Sequence, residues 1–274
     1  VAVMHNLLDG DGPMRLKKCR RGYMLYSIND VTIGRSFDLY GEFSEQEAAL
    51  FGKLIEPGDV VIEVGANIGS HTVALANFVG PGGKVIAFEP QMVLFQTLCA
   101  NVTLNGYSNV LTFNAAVGAS AGVLELPKID YEKPGLFGAH GIGSDGGGGK
   151  LSCVRLDDFI QPSHCKLIKI DVEGMESDVL KGAAGLIEKF RPTLYVENDR
   201  PEKSEELIET IQGFGYSLYW HLPPLFEETN YFANQQNVFE GILSINMVCV
   251  PKETKVVGME GFEISSPTDW WRNL

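Results

Sequence analysis

The stretch "VIEVGANIGSHT", Val61 to Thr72, decides the fold. Apolar Val61, Ile62 and Val64 surround one carboxylate, Glu63, and two glycines follow, Gly65 and Gly69, with Asn67 between them. Beyond Gly69 the spacing of Val73, Leu75, Ala76, Phe78 and Val79 predicts a helix packed on a sheet. A strand running into a glycine turn and then a helix is the opening of a nucleotide-type site in an open α/β sheet.

The turn is poorly made for phosphate. A dinucleotide fingerprint needs glycine at 65, 67 and 70, and the chain has Asn67 and Ser70 at the second and third places. The Gly-Lys-Ser/Thr of a P-loop is absent too. Carboxylates stand there instead. Glu89 closes the next strand, "KVIAFE", where a carboxylate accepts hydrogen bonds from two ribose hydroxyls. Glu63, near the glycine turn, suits a cation. A ligand with ribose, positive charge and no phosphate is S-adenosylmethionine, whose sulfonium and ammonium favour carboxylates. A glutamate inside an apolar strand also serves to cap a neighbouring helix, but two carboxylates at two matching strand ends weaken that reading.

Working outward, "DVVIEV", "KVIAFE", "NVLTFN", "KLIKID" and "PTLYVEN" predict five strands, alternating with helical stretches at "SHTVALANFV", "QMVLFQTLCANVTLN", Met175 to Phe190 and "EELIETIQGFG". That alternation predicts βαβ units and a parallel sheet. "YSLYWHL" adds a strand, and "SINMVCVP", reached without a crossover helix, is expected to pair antiparallel at the sheet edge. The glycine-dense run Gly135 to Gly149 favours no regular element and is expected to form a mobile loop, either a lid or an inert linker. Upstream, "YMLYSI" and "VTIGRSFDLY" are strand-like, and a helix is expected from Glu45 to Leu54 with Ser44 as N-cap and Glu47 completing a capping box. Residues 1–50 are therefore an extension packed on a core of residues 51–274, one domain overall.

Composition narrows the function classes. The 274 residues carry a formal net charge of −13, which argues against a phosphate-backbone partner. The one basic cluster, "RLKKCRR" from Arg15 to Arg21, is expected to be a solvated turn or edge strand. Five scattered cysteines without CxxC spacing fit neither a disulfide framework nor a zinc site and point to a reducing, cytoplasmic setting. No apolar run approaches the roughly 20 residues that span a bilayer.

Four segments in order, "VIEVGANIGSHT", "VIAFEP", "FNAAVG" and "KIDVEGMESDVLKG", resemble the successive motifs of the FkbM family of S-adenosylmethionine-dependent methyltransferases. "YGEFSEQE" and "NYFANQQNVF" resemble that family as well, and the likeness runs from about Tyr26 to Pro251. Glu63 stands where the family more often has aspartate. The resemblance implies a class I methyltransferase (Rossmann-like) α/β fold: a seven-stranded, mostly parallel sheet with an antiparallel last strand and helices on both faces. It implies that Gly65, Ala66, Asn67, Gly69 and Ser70 let the backbone approach the methionine half of S-adenosylmethionine. Glu89 and Pro90 take the ribose, Asn114 and Ala115 lie beside adenine, and Asp171 faces the methyl group and its acceptor, a hydroxyl on a small molecule or glycan.

Catalytic candidates are Asp171, Lys169 and His71. Lys169 and Asp171 are two apart on one strand, so both side chains leave the same face, where the lysine would keep the aspartate ionised. Glu173 is expected to bond backbone in the "DVEG" turn. Asp171, Glu197 and Asn198 are oxygen donors at two strand ends, suited to magnesium, but the expectation is transfer without a metal. An N-methyltransferase, a scaffold without catalysis and a nicotinamide oxidoreductase stay open as alternatives. The first is weakened because "IDVEG" stands where Asn/Asp-Pro-Pro-aromatic would follow the fourth strand.

Overall fold

A computed structural model describes residues 5–8, 11–139 and 147–273. The chain begins with a hairpin of β1 (Met14–Lys18) and β2 (Tyr23–Ser27), then α1 (Ile33–Tyr40) and α2 (Glu45–Leu54). The core follows: β3 (Val60–Val64), α3 (Thr72–Val79), β4 (Lys84–Phe88), α4 (Met92–Leu104) and β5 (Val110–Phe113). Next come β6 (Ala116–Val117), β7 (Gly122–Pro127), β8 (Gly147–Val154), α5 (Leu156–Phe159) and β9 (Leu167–Ile170). The chain continues through α6 (Glu176–Gly182), α7 (Ala184–Phe190), β10 (Thr193–Glu197), α8 (Pro201–Gly213), β11 (Tyr216–His221), β12 (Asn246–Pro251) and the short β13 (Glu263–Ile264).

The main sheet runs β13-β11-β12-β10-β9-β3-β4-β5. Seven of these strands are the expected ones, with β12 antiparallel to both neighbours; the two-residue β13 adds an eighth on the far edge. β12 is not an edge strand. It fills the gap between β10 and β11, and all six of its residues are buried, as an apolar run inside a sheet demands. One face of the sheet packs Val61, Leu167 and Tyr195 against Phe51 and Leu75 of α2 and α3. The other packs Ile62, Ile168 and Leu194 against Val179, Leu180 and Ile208 of α6 and α8.

Several expectations are corrected. "VTIGRSFDLY" is not a strand: Ile33 to Tyr40 form α1, whose buried face holds Gly34, Ser36, Phe37 and Tyr40. Asp30 starts it, accepting the Thr32 and Ile33 backbone N–H groups at 3.0 and 3.1 Å. The expected helix from Met175 to Phe190 is two helices broken at Ala183, at φ −111° and ψ 9°, and Gly182 before it lies so close to the Gly118 carbonyl that a Cβ there would sit 2.1 Å from it. Gly147 to Gly149 belong to β8, in a small sheet of order β6-β8-β7; residues 140–146 of the expected loop lie outside the described residues. The basic cluster does form an edge strand and turn, in the β1–β2 hairpin, with Lys17 paired to Asp38 at 2.8 Å, Arg20 to Glu42 at 2.6 Å and Arg21 to Glu45. All five cysteines are free. Among the described residues no helix is long and apolar enough to cross a membrane.

Candidate active site

A cavity of about 280 Å³ opens over the carboxyl ends of β3, β4, β9 and β10. Its floor is the glycine turn. Gly65 has φ +84°, and a Cβ there would lie 1.7 Å from the Asp171 carbonyl, so only glycine lets the ends of β3 and β9 meet. Asn67 follows in the left-handed region at φ 51°, which aims its backbone N–H at Glu89. Glu89 is 4% exposed; its Oε2 accepts from Asn67 N and its Oε1 from Gln91 N, both at 2.8 Å. Burial raises its carboxyl to about 7, held back by those two N–H bonds. Glu89 thus locks the turn while keeping a second lone pair on each oxygen.

The wall beside Glu89 comes from the segment that enters the expected loop. The Gln91 side chain donates to the Phe137 carbonyl at 3.0 Å and accepts from the Tyr131 hydroxyl at 2.6 Å. Gly135 exchanges backbone bonds with Asn29 and Val31, and Gly138 packs on the Asn67 amide. This part of the run is fastened rather than free.

At the other end of the cavity the charges gather around Lys169. It is 2% exposed, and its ammonium meets Asp171 Oδ2 at 2.9 Å. Burial alone would favour the neutral amine, but Asp171, Glu63 and Glu47 reverse that and hold the proton above lysine's usual range. Burial also works against an ionised Asp171, and here Lys169 wins, keeping its carboxyl below the ordinary value. The cation expected beside Glu63 is therefore the chain's own. Glu63 faces Lys169 across the β3–β9 register, accepts from the Thr72 hydroxyl at 2.5 Å and is raised by burial to about 7.

Glu197 ends β10, and burial, with Asp171 and Glu173 beside it, raises its carboxyl well above the usual range. Glu173, at φ 58°, does not bond the turn's backbone but pairs with Arg200. Ligand oxygens of Asp171, Glu173 and Glu197 lie within 4.8 Å of one another. The third residue of the expected oxygen set is not among them: the Asn198 amide turns away and donates to Ser204 Oγ at 2.9 Å.

Of the residues singled out from sequence, Gly65, Asn67, Ser70, His71, Glu89, Pro90, Ala115, Lys169 and Asp171 line this cavity. Glu63, Ala66, Gly69 and Asn114 do not. Ala66 is buried with its N–H on the Phe88 carbonyl, and Gly69 clears room for Leu98. Asn114 spends its amide on the Glu89 and Pro90 carbonyls at 2.9 Å each, shaping the site from behind.

Sequence reasoning missed Glu47 and Gln91 as cavity residues. Ser44 does precede α2 as N-cap, but it sits at φ 42° with no side-chain cap bond. Its hydroxyl donates instead to Glu47 Oε1 at 2.6 Å, so the expected capping box is replaced by a carboxylate turned into the cavity. The presence of "SEQE" in the family likeness was the available signal for Glu47.

A family model described as "Methyltransferase FkbM domain" matches residues 63–218. The 31-O-demethyl-FK506 methyltransferase FkbM of Streptomyces tacrolimicus is 28% identical over 236 residues, covering 74% of this chain and 90% of that protein. The hexuronic acid methyltransferase AglP of Haloferax volcanii is 27% identical over 161 residues, 57% of this chain and 62% of that one. Among solved structures, P. horikoshii TYW2 in complex with MeSAdo superposes with a TM-score of 0.50 at 14% identity, covering 90% of this chain and 74% of that chain, a likeness of fold.

Proposed function

The chain belongs to the FkbM methyltransferase family, and from that premise we propose that it moves the methyl group of S-adenosylmethionine to a hydroxyl on a small molecule or glycan. One observation carries this reading: the Glu89 clamp and the Lys169–Asp171 pair stand in the same cavity. The residues fit the cofactor. Glu89 has lone pairs left for two ribose hydroxyls, Ala115, Ala116, Val117 and Phe137 offer an apolar slot for a purine, and Gly65 leaves the floor clear.

When bound, S-adenosylmethionine supplies a methyl carbon made electrophilic by its sulfonium. An acceptor hydroxyl held at Asp171 would stand to receive that methyl group. Asp171 takes or orients the hydroxyl proton, and Lys169 keeps it ionised for that task. Orientation can supply effective molarities of about 10⁵–10⁸ M, against about 10²–10⁴-fold for a general base, so a weak base held in place suffices.

The transfer needs no metal in this reading. Asp171 is paired with Lys169 and Glu173 with Arg200, so two of the three acidic groups already have a cation of the chain's own beside them. The test is transfer of label from methyl-labelled cofactor to a panel of hydroxyl-bearing small molecules and glycans, with and without chelator. Label on a hydroxyl in chelator is the expected result. Binding of NADH with no binding of S-adenosylmethionine overturns the reading, and activity lost to chelator and restored by magnesium overturns the metal-free part.

A further inference from the structure

His71 opens α3 inside the cavity wall, 3% exposed, with its ring packed between Phe43 and Phe51. The ring lies beside the Ser44 backbone, which favours a proton on the imidazole, and the tautomer that carries its N–H on Nδ1 presents Nε2 to the cavity as an acceptor. Among the described residues Nε2 has no partner. Glu47 Oε2 lies 3.9 Å from it, and Glu47, also 3% exposed, lines the same cavity. Burial and the nearby Lys169 keep the imidazole neutral, lowering it to about 3, so the pair does not close on itself as an ion pair.

A buried acceptor left bare is costly, so this wall is built for a donor that arrives with a ligand. Two acceptors this close, one of them the Glu47 carboxyl that also faces Lys169, fit a group with several N–H donors. A hydroxyl has one donor and no charge. A primary ammonium meets both atoms at once. Resting on the cofactor reading above, we infer that Glu47 and His71 hold the α-ammonium of the methionine half of S-adenosylmethionine. The N-terminal helix α2 is then part of the cofactor site.

The test is calorimetric binding of S-adenosylhomocysteine and of its des-amino analogue to the parent protein, Glu47→Gln and His71→Phe. His71→Phe keeps an aromatic ring between Phe43 and Phe51, so it decides the matter even where Glu47→Gln does not fold. The expected result is a loss of about tenfold to a hundredfold for S-adenosylhomocysteine in each variant, the scale of a charge-assisted hydrogen bond, with the des-amino analogue unaffected. Equal losses for both ligands assign the pair a structural role and overturn the inference. Unchanged binding of both ligands with reduced turnover overturns it in favour of the acceptor. A parent protein that binds neither ligand defeats the cofactor reading itself.

Discussion

At one end of the cavity Glu89 is satisfied by two backbone N–H groups; at the other, Asp171, Glu63 and Glu47 share one buried ammonium. The first end is fixed by chain geometry, so its carboxylate can lose or gain a proton without neighbours moving. The second is a charge balance in which every member depends on Lys169. The ribose end should therefore tolerate change and lose only affinity, whereas the Lys169 end should lose stability and turnover together.

The largest effect is expected from Lys169→Met. Removing the buried ammonium while leaving Glu63 and Glu47 buried around its place costs about 3–5 kcal/mol, read as a lower urea midpoint, with turnover abolished. A loss under about 1 kcal/mol, the scale of an exposed pair, would erase the contrast between the two ends. Asp171→Asn comes next: initial rates should fall about 10²–10⁴-fold, the worth of a general base, with cofactor affinity nearly kept. If affinity falls and the rate at saturation does not, Asp171 belongs to the cofactor rather than to the acceptor. Glu89→Ala should weaken S-adenosylmethionine about tenfold to a hundredfold, and unchanged affinity in a folded variant would remove Glu89 from the ribose site.

The smallest effect is in pH. Glu63, Glu89 and Glu173 are each raised to about 7 from 4.5, so the folded chain holds protons that the unfolded chain has released. Their contribution to stability is full below about 4.5 and is lost as pH rises to about 7. Asp171 and His71, lowered instead, act in the opposite sense, Asp171 at the acid end and His71 between about 3 and 6.5, and the three glutamates outweigh them. The ligand-free protein should melt at a higher temperature near pH 5 than near pH 8 by scanning calorimetry. The reverse order would mean that these carboxyls are ionised in the fold. Cofactor binding should tighten over the same rise, as Glu89 ionises.

What the sequence disclosed follows from range. The β3 strand, its glycine turn and Glu89 were legible because short-range spacing dictates them: Gly65 must be glycine where β9 approaches, and Glu89 ends its strand. Lys169 beside Asp171 was legible from strand alternation. Glu47 was not, because "SEQE" satisfies a local capping rule, and only the tertiary approach of α3 and β9 turns its carboxylate inward. Glu63 misled for a similar reason. An acid near the turn looked like a ligand partner until the β3–β9 register placed Lys169 opposite it. The β6-β8-β7 sheet escaped notice because β6 is only two residues long, β7 is half exposed and β8 opens on three glycines, leaving no apolar alternation to read.

The slot that β12 fills has a consequence for how the molecule is made. β10, α8 and β11 all leave the ribosome before β12, so until Pro251 emerges β10 lacks its partner on that side and β11 has no strand to pair with in the main sheet. Such edges are templates for pairing with another chain. The same late segment brings Ser244, Ile245 and Asn246 to the cavity wall. The segment that pairs these edges is thus also the one that completes the pocket wall.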